Sequence, residues 1–212
     1  MKNVLFLLVL LLEIQYATVA DGQSKYFKRS EPKITYGIKA GINLSSQASP
    51  DNDGIFDVKS LLLFHSGGYY SYRFSRYFII QPELMLSGKG TRWTDMFDDK
   101  KDVITYIDLP VLIKYQPVRN FNIHFGPQPG YVVKALQKDL ETGVSSDISY
   151  IYNKIDFSLA GGIEFSLQER LKLILRYVRG LTSATNDVGY DVKCYNSYFQ
   201  FSVSYRLSGE FR

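Results

Sequence analysis

The chain has 212 residues, a formal net charge of +4 and no block of Lys and Arg, so a single domain is expected and nucleic-acid binding has no electrostatic footprint. Its one cysteine, Cys194, excludes an internal disulfide and a Cys/His metal cluster, and no Cys follows the N-terminal segment to carry a lipid anchor. Aromatic residues make up 15% of the chain, 17 of them Tyr, which favours strands and membrane interfaces.

Lys2, an unbroken apolar run over residues 4–12, and small residues at Ala17 and Ala20 have the layout of a secretory signal peptide. The expectation is a signal peptide over 1–20, cleaved after Ala20, and a linker over 21–33. Beyond it no stretch of eighteen apolar residues occurs, so no transmembrane helix is predicted. An exported chain can still enter a membrane as a closed β-barrel, because closure satisfies every backbone group.

Period-two alternation begins at 34–44. Ile34, Tyr36, Ile38, Ala40, Ile42 and Leu44 share one face, and Thr35, Gly37, Lys39, Gly41 and Asn43 share the other. Noisier strands follow at 61–74, 77–89, 103–115 and 121–136. Clear alternation returns at 155–167, 171–177 and 199–207. The connections alternate too: 73–76, 116–120 and 168–170 are short, whereas 45–60, 90–102, 137–152 and 182–194 are long and polar. This pattern predicts an all-β fold: an eight-stranded antiparallel transmembrane β-barrel over 34–207, with short periplasmic turns and long external loops, and a tail over 208–212. It places the chain in the bacterial outer membrane, with outer-membrane lipid as its first partner.

Gly67, Gly68, Gly126, Gly130, Gly161 and Gly162 fall inside strands, where they permit sharp curvature. Pro82, Pro110, Pro127 and Pro129 also fall there, each removing a ladder donor, and 125–130 is a candidate bulge at a barrel rim. Trp93 and Tyr106 are assigned to the upper aromatic girdle, and Tyr72, Phe74, Tyr77, Phe78 and Tyr115 to the lower one.

Three segments resemble the PorT-like outer-membrane β-barrel family of Bacteroidota-type bacteria: Gln81-Pro82-Glu83-Leu84 leading to Gly88-Lys89-Gly90, then Tyr106-Ile107-Asp108-Leu109-Pro110, then Phe125-Gly126-Pro127. The opening Gly37-Ile38-Lys39-Ala40-Gly41-Ile42-Asn43 and the stretch from Arg176-Tyr177 to Gly180-Leu181 are similar to it as well. The resemblance spans 34–207. It implies an eight-stranded outer-membrane barrel that tolerates prolines in its strands. It implies little about activity, although the family's namesake is linked to protein secretion.

By parity, the lumen collects Lys39, Glu83, Asp108, Lys114, Asp156, Glu164, Lys172, Arg176 and Arg206, together with Arg73, Lys89 and Lys134. His65 and His124 point the same way. An eight-stranded bore is just wide enough to be filled by side chains, so these charges are expected to pair as a structural plug. Ser66 beside His65 cannot form a catalytic pair, because neighbours on a strand face opposite ways. The loop over 49–54 lacks the spaced ligands of a calcium site. No cofactor and no metal are expected. The leading expectation is a non-enzymatic barrel with a structural, binding or secretion-accessory role, meeting an extracellular ligand or an envelope protein. A small pore with a charged lumen and a lipid-modifying outer-membrane hydrolase are the alternatives.

Overall fold

The computed structural model describes residues 32–48, 57–94, 99–140, 142–186 and 194–210. The expected signal peptide over 1–20, most of the expected linker over 21–33 and the loop over 49–54 lie outside the described residues.

Among the described residues ten strands form one antiparallel sheet: β1 (Ile34–Ala48), β2 (Asp57–Arg73), β3 (Phe78–Thr94), β4 (Asp99–Asp108), β5 (Val111–Val118), β6 (Phe121–Asp139), β7 (Ser145–Asp147), β8 (Ile155–Ser166), β9 (Leu171–Gly180) and β10 (Tyr195–Glu210). β4 and β5 form one crossing. β3 pairs with both, through Met85–Thr94 and Phe78–Pro82, and β6 does the same on the other side. β7 only doubles back on β6. With β1 paired to both β2 and β10, eight crossings close into a ring without a free edge.

Alternation decides which face looks where. Along β5, β6, β8 and β9 exposed and buried residues alternate almost without interruption. The exposed set is apolar (Phe64, Leu84, Phe125, Ile155 and Phe201 among it), and the buried set carries the charges. A ring with an apolar exterior and a polar interior is stable only in lipid. Phe74, Tyr77, Phe78 and Tyr115 pack together at the short-turn end, with ring centroids 5.4–6.3 Å apart.

The strand predicted over 103–115 is interrupted at Leu109–Pro110. The four prolines gather on the wall around that break. Pro82 pairs with Val111, Leu109 N donates to Pro129 O at 2.8 Å, and Glu83 N donates to Pro110 O at 2.8 Å. The expected bulge over 125–130 is absent, since β6 runs on through it in register with β8. The irregularity on β6 comes later, where Tyr106 faces Val132 but Thr105 faces Lys134. That extra residue shifts the parity and turns Lys134 outward, against the sequence expectation.

Tyr106 and Trp93 do not join an outer girdle. Both lie an even number of residues from inward-facing neighbours, Asp108 and Lys89, and alternation carries them inward. Tyr106 is fully buried, and the Trp93 indole donates to Asp102 Oδ2 at 3.0 Å.

Candidate functional site

Side chains fill the bore in layers. At the short-turn end, Arg73 donates to Gln116 and to Arg76 O, and Ser71 donates to Gln81. Above them, Glu83 is the hub of the central layer. Its two oxygens accept from the Arg176 guanidinium at 2.9 and 3.0 Å, from Lys39, and from Gln81 at 2.8 Å. β3 and β9 stand four crossings apart in the eight-membered ring, so the Arg176–Glu83 pair spans the bore. Arg176 Nε also donates to His124 Nε2 at 3.2 Å.

Glu164 is a second hub, accepting from Lys114, from Lys172 at 2.6 Å and from Asn122 at 3.0 Å. The third layer reverses the signs. Lys89 lies between Asp108 at 2.9 Å and Asp156 at 3.5 Å, with the Tyr106 ring 3.9 Å from its Nζ. Asn196 donates to Asp156 at 3.0 Å and to the Tyr106 hydroxyl at 3.2 Å, a second link between opposite walls. A buried ion costs several kcal/mol unless it is paired, and each hub here faces two opposite charges.

The long-loop end is closed by chain rather than by charge. Residues 145–154 fold back over the opening, and Ile148 and Tyr152 pack against Ile104, Tyr106, Val132, Ala135 and Ala184. Ile148 N donates to Ala135 O at 3.0 Å, and Asn153 N to Ala184 O at 2.8 Å. The Tyr152 hydroxyl donates to Asp102 at 3.3 Å, beside bonds from Trp93 and Gln137. Burial, and then the neighbouring Asp102 charge, push the Tyr152 hydroxyl well above its ordinary range, so it stays a donor.

The structure thus brings Lys39, Glu83, Arg176 and His124 together, and Lys114, Glu164 and Lys172, and Asp108 with Asp156. Arg206 is half-buried on β10 and makes none of these bonds. His65 Nε2 lies 2.8 Å from Ser202 Oγ, a serine–histidine contact that alternation within one strand could not reveal. Both residues are buried, and among the described residues no carboxylate bonds His65 Nδ1, the place where a hydrolase triad puts its orienting acid. Among the described residues no group of three His, Cys, Asp or Glu could hold a metal ion.

Sequence reasoning passed over Gln81, Asn122, Gln128 and Asn196, uncharged residues of the same lumen face. Their parity with Glu83, His124 and Tyr198 was the available signal. The histidines also sit opposite glycines. Gly41 faces His65, and Gly162 faces His124, where an added Cβ would stand 2.9 Å from each ring.

In fold the chain is similar to Ail, the attachment invasion locus protein of Yersinia pestis, at 12% identity and a TM-score of 0.49 over 84% of this chain and 100% of that one. It is similar also to Neisserial surface protein A, at 12% and 0.49 over 80% and 96%. OprG from Pseudomonas aeruginosa follows at 14% and 0.44 over 85% and 99%. No curated protein matches the chain in sequence. The profile of the outer membrane protein beta-barrel domain matches residues 22–186. The chain belongs to that family and is an integral β-barrel of the bacterial outer membrane.

Proposed function

We propose that the barrel is a non-conducting, non-enzymatic component of the outer membrane that meets an extracellular ligand or an envelope protein through its external face. The observation that carries this reading is the Arg176–Glu83 pair, which joins opposite walls in the middle of the bore. A hydrated ion would have to break it, and then pass the Lys89 layer and the Tyr152 closure. The loops are what remain for recognition, held on a rigid scaffold. A secretion-accessory role is the narrower form of this proposal, supported by the resemblance of residues 81–90, 106–110 and 125–127 to the PorT-like family.

Planar-bilayer recording tests it. The folded chain is expected to give no step conductance, whereas Glu83→Ala with Arg176→Ala opens a measurable path. Unitary steps from the unaltered chain would overturn the proposal. So would a lipid-hydrolysing activity that is lost in His65→Ala or His124→Ala.

A further inference from the structure

The bore is not electrically even along its length. Among the described residues, the half from the central layer down to the periplasmic mouth holds five inward cations, Lys39, Lys114, Lys172, Arg176 and Arg206, against two carboxylates, Glu83 and Glu164. That leaves an excess of three positive charges, without counting Arg73, which bonds at the short turn. The Lys89 layer above has the opposite sign, one cation between Asp108 and Asp156. Each hub carboxylate already serves two cations, so neither can neutralise a further one. Ions held out of water are costly unless an opposite charge is near, so the periplasmic end of the bore favours an anion.

The excess is reachable from the periplasm at one place. Alternation from Gln200, Ser202 and Ser204 carries Arg206 inward at the foot of β10, where it is half-buried. Its side chain makes no hydrogen bond or ion pair with a described residue. Lys172 on β9 faces Ser204, which puts it on the diagonal from Arg206, about 7–8 Å away and within reach of long side chains. Lys172 is 27% exposed, although its partner Glu164 is enclosed, and that bond uses one of its three donors. On the other flank Arg206 faces Gly37, and Gly37 faces Tyr69. With no side chain on Gly37, the Tyr69 hydroxyl lies over it, and a Cβ there would stand 2.7 Å from that oxygen. Tyr69 is half-buried and hydrogen-bonds Ser204. Arg206, Lys172 and Tyr69 therefore surround Ser204 at the mouth of the bore.

We propose that this mouth binds a doubly charged oxyanion from the periplasmic side, the phosphate group of inorganic phosphate or of a small phosphate monoester. The Arg206 fork supplies two parallel donors, the Lys172 ammonium a third and the Tyr69 hydroxyl a fourth. A dianion answers more of the threefold excess than a carboxylate does. The bore is about as wide as the side chains that fill it, so a lipid phosphodiester, flanked on both sides, does not fit. The Arg176–Glu83 pair closes the bore above, so the anion stays at the mouth.

The test folds the full mature chain in a zwitterionic detergent. It measures phosphate binding by calorimetry, and the urea midpoint with and without phosphate, chloride holding the ionic strength constant. The unaltered chain is expected to bind phosphate and to unfold at higher urea in its presence. Losing one charge-assisted hydrogen bond weakens binding by roughly tenfold or more, so Arg206→Gln and Lys172→Gln should each do so. Tyr69→Phe should act in the same direction by less, and Arg179→Gln, exposed near the other end of β9, should behave like the unaltered chain. Without phosphate, Arg206→Gln should unfold at the same urea concentration or higher, because it removes an excess cation. Acetate, with one charge, should bind more weakly than phosphate. Binding of either phosphate or glycerol phosphate with this variant pattern supports the site, and their ranking separates a free anion from a monoester. No binding of either to a chain that shows its heat-modifiable band would overturn the proposal. So would binding that survives both Arg206→Gln and Lys172→Gln, or acetate binding as tight as phosphate. A less stable Arg206→Gln barrel in phosphate-free buffer would also overturn it, by showing that Arg206 has a structural partner.

Discussion

Replacing Glu83 with Gln removes one charge and no volume. It leaves the Arg176 guanidinium and the Lys39 ammonium facing a neutral amide in the centre of the bore. Removing one partner of a buried ion pair costs about 3–5 kcal/mol. The Gln carbonyl keeps one acceptor for Arg176, so the lower end of that range, about 3 kcal/mol, is expected. Equilibrium unfolding in urea from detergent micelles measures it. Loss of the heat-modifiable gel band reports the barrel, and fluorescence of Trp93, the sole tryptophan, reports its external end. The control is Glu169→Gln in the exposed β8–β9 turn, where about 0–1 kcal/mol is expected. A Glu83→Gln barrel within about 0.5 kcal/mol of the unaltered protein would refute the hub, because a lumen open to water would have screened the loss.

Other changes probe the wall and the closure. Gly162→Ala would place a Cβ 2.2 Å from the Leu175 carbonyl oxygen, and overpacking of this kind costs about 1–3 kcal/mol. Gly161→Ala meets nothing closer than Phe125 at 3.5 Å and should be neutral or stabilising by about 0.5 kcal/mol, so the two variants should differ in the same urea titration. Cys194 is buried beside the closure, and burial pushes its thiol above the ordinary value. Maleimide reacts with the thiolate, so labelling should be slow at neutral pH and still rising past pH 9, whereas Tyr152→Ala should speed it at every pH. A labelling rate indifferent to Tyr152 would show that the closure does not guard this site.

Most of the fold was legible because lipid leaves a strand one choice per residue. Every second position from Ile34 to Leu44 had to be apolar, and Lys39 then had to face the bore. What escaped were the departures from period two. Nothing in Tyr131-Val132-Val133 marks the extra residue on β6, because all three are apolar and either parity reads well. Lys134 was therefore placed inward by a rule that had slipped by one. Tyr106 and Trp93 misled for a different reason. An amphipathic ring suits the membrane interface and a polar lumen equally, and only the fixed parity with Asp108 and Lys89 separates the two. The partners themselves were out of reach. Arg176 and Glu83 are 93 residues apart, and which lumen residues share a layer follows from the stagger of the whole ring. The closure by Ile148 and Tyr152 lay in what reads as a long polar loop.

The ionic lumen poses a last question, because such pairs are seldom the most stable filling. Lys39→Met, Glu83→Leu and Arg176→Met together would replace the central layer with apolar groups of similar size, and substitutions of this kind are commonly neutral or stabilising by about 1–4 kcal/mol. The native arrangement acts earlier, on the unfolded chain. In β3 the sequence Ile79-Ile80-Gln81-Pro82-Glu83-Leu84-Met85-Leu86 is apolar on its outward positions and interrupted inward by Gln81 and Glu83. With Leu at position 83, the stretch from 83 to 87, just past Pro82, loses its only charge and becomes the kind of short, uncharged, proline-free apolar window that aggregates. The barrel must reach its membrane unfolded with its lipid-facing residues in water, and the lumen residues are the ones free to be charged. The triple variant is therefore expected to match or exceed the unaltered barrel in urea resistance once folded. Its yield of heat-modifiable protein on dilution from urea should fall increasingly as protein concentration rises. Equal yields across that range would remove the aggregation argument and leave layer specificity as the reason for the charges.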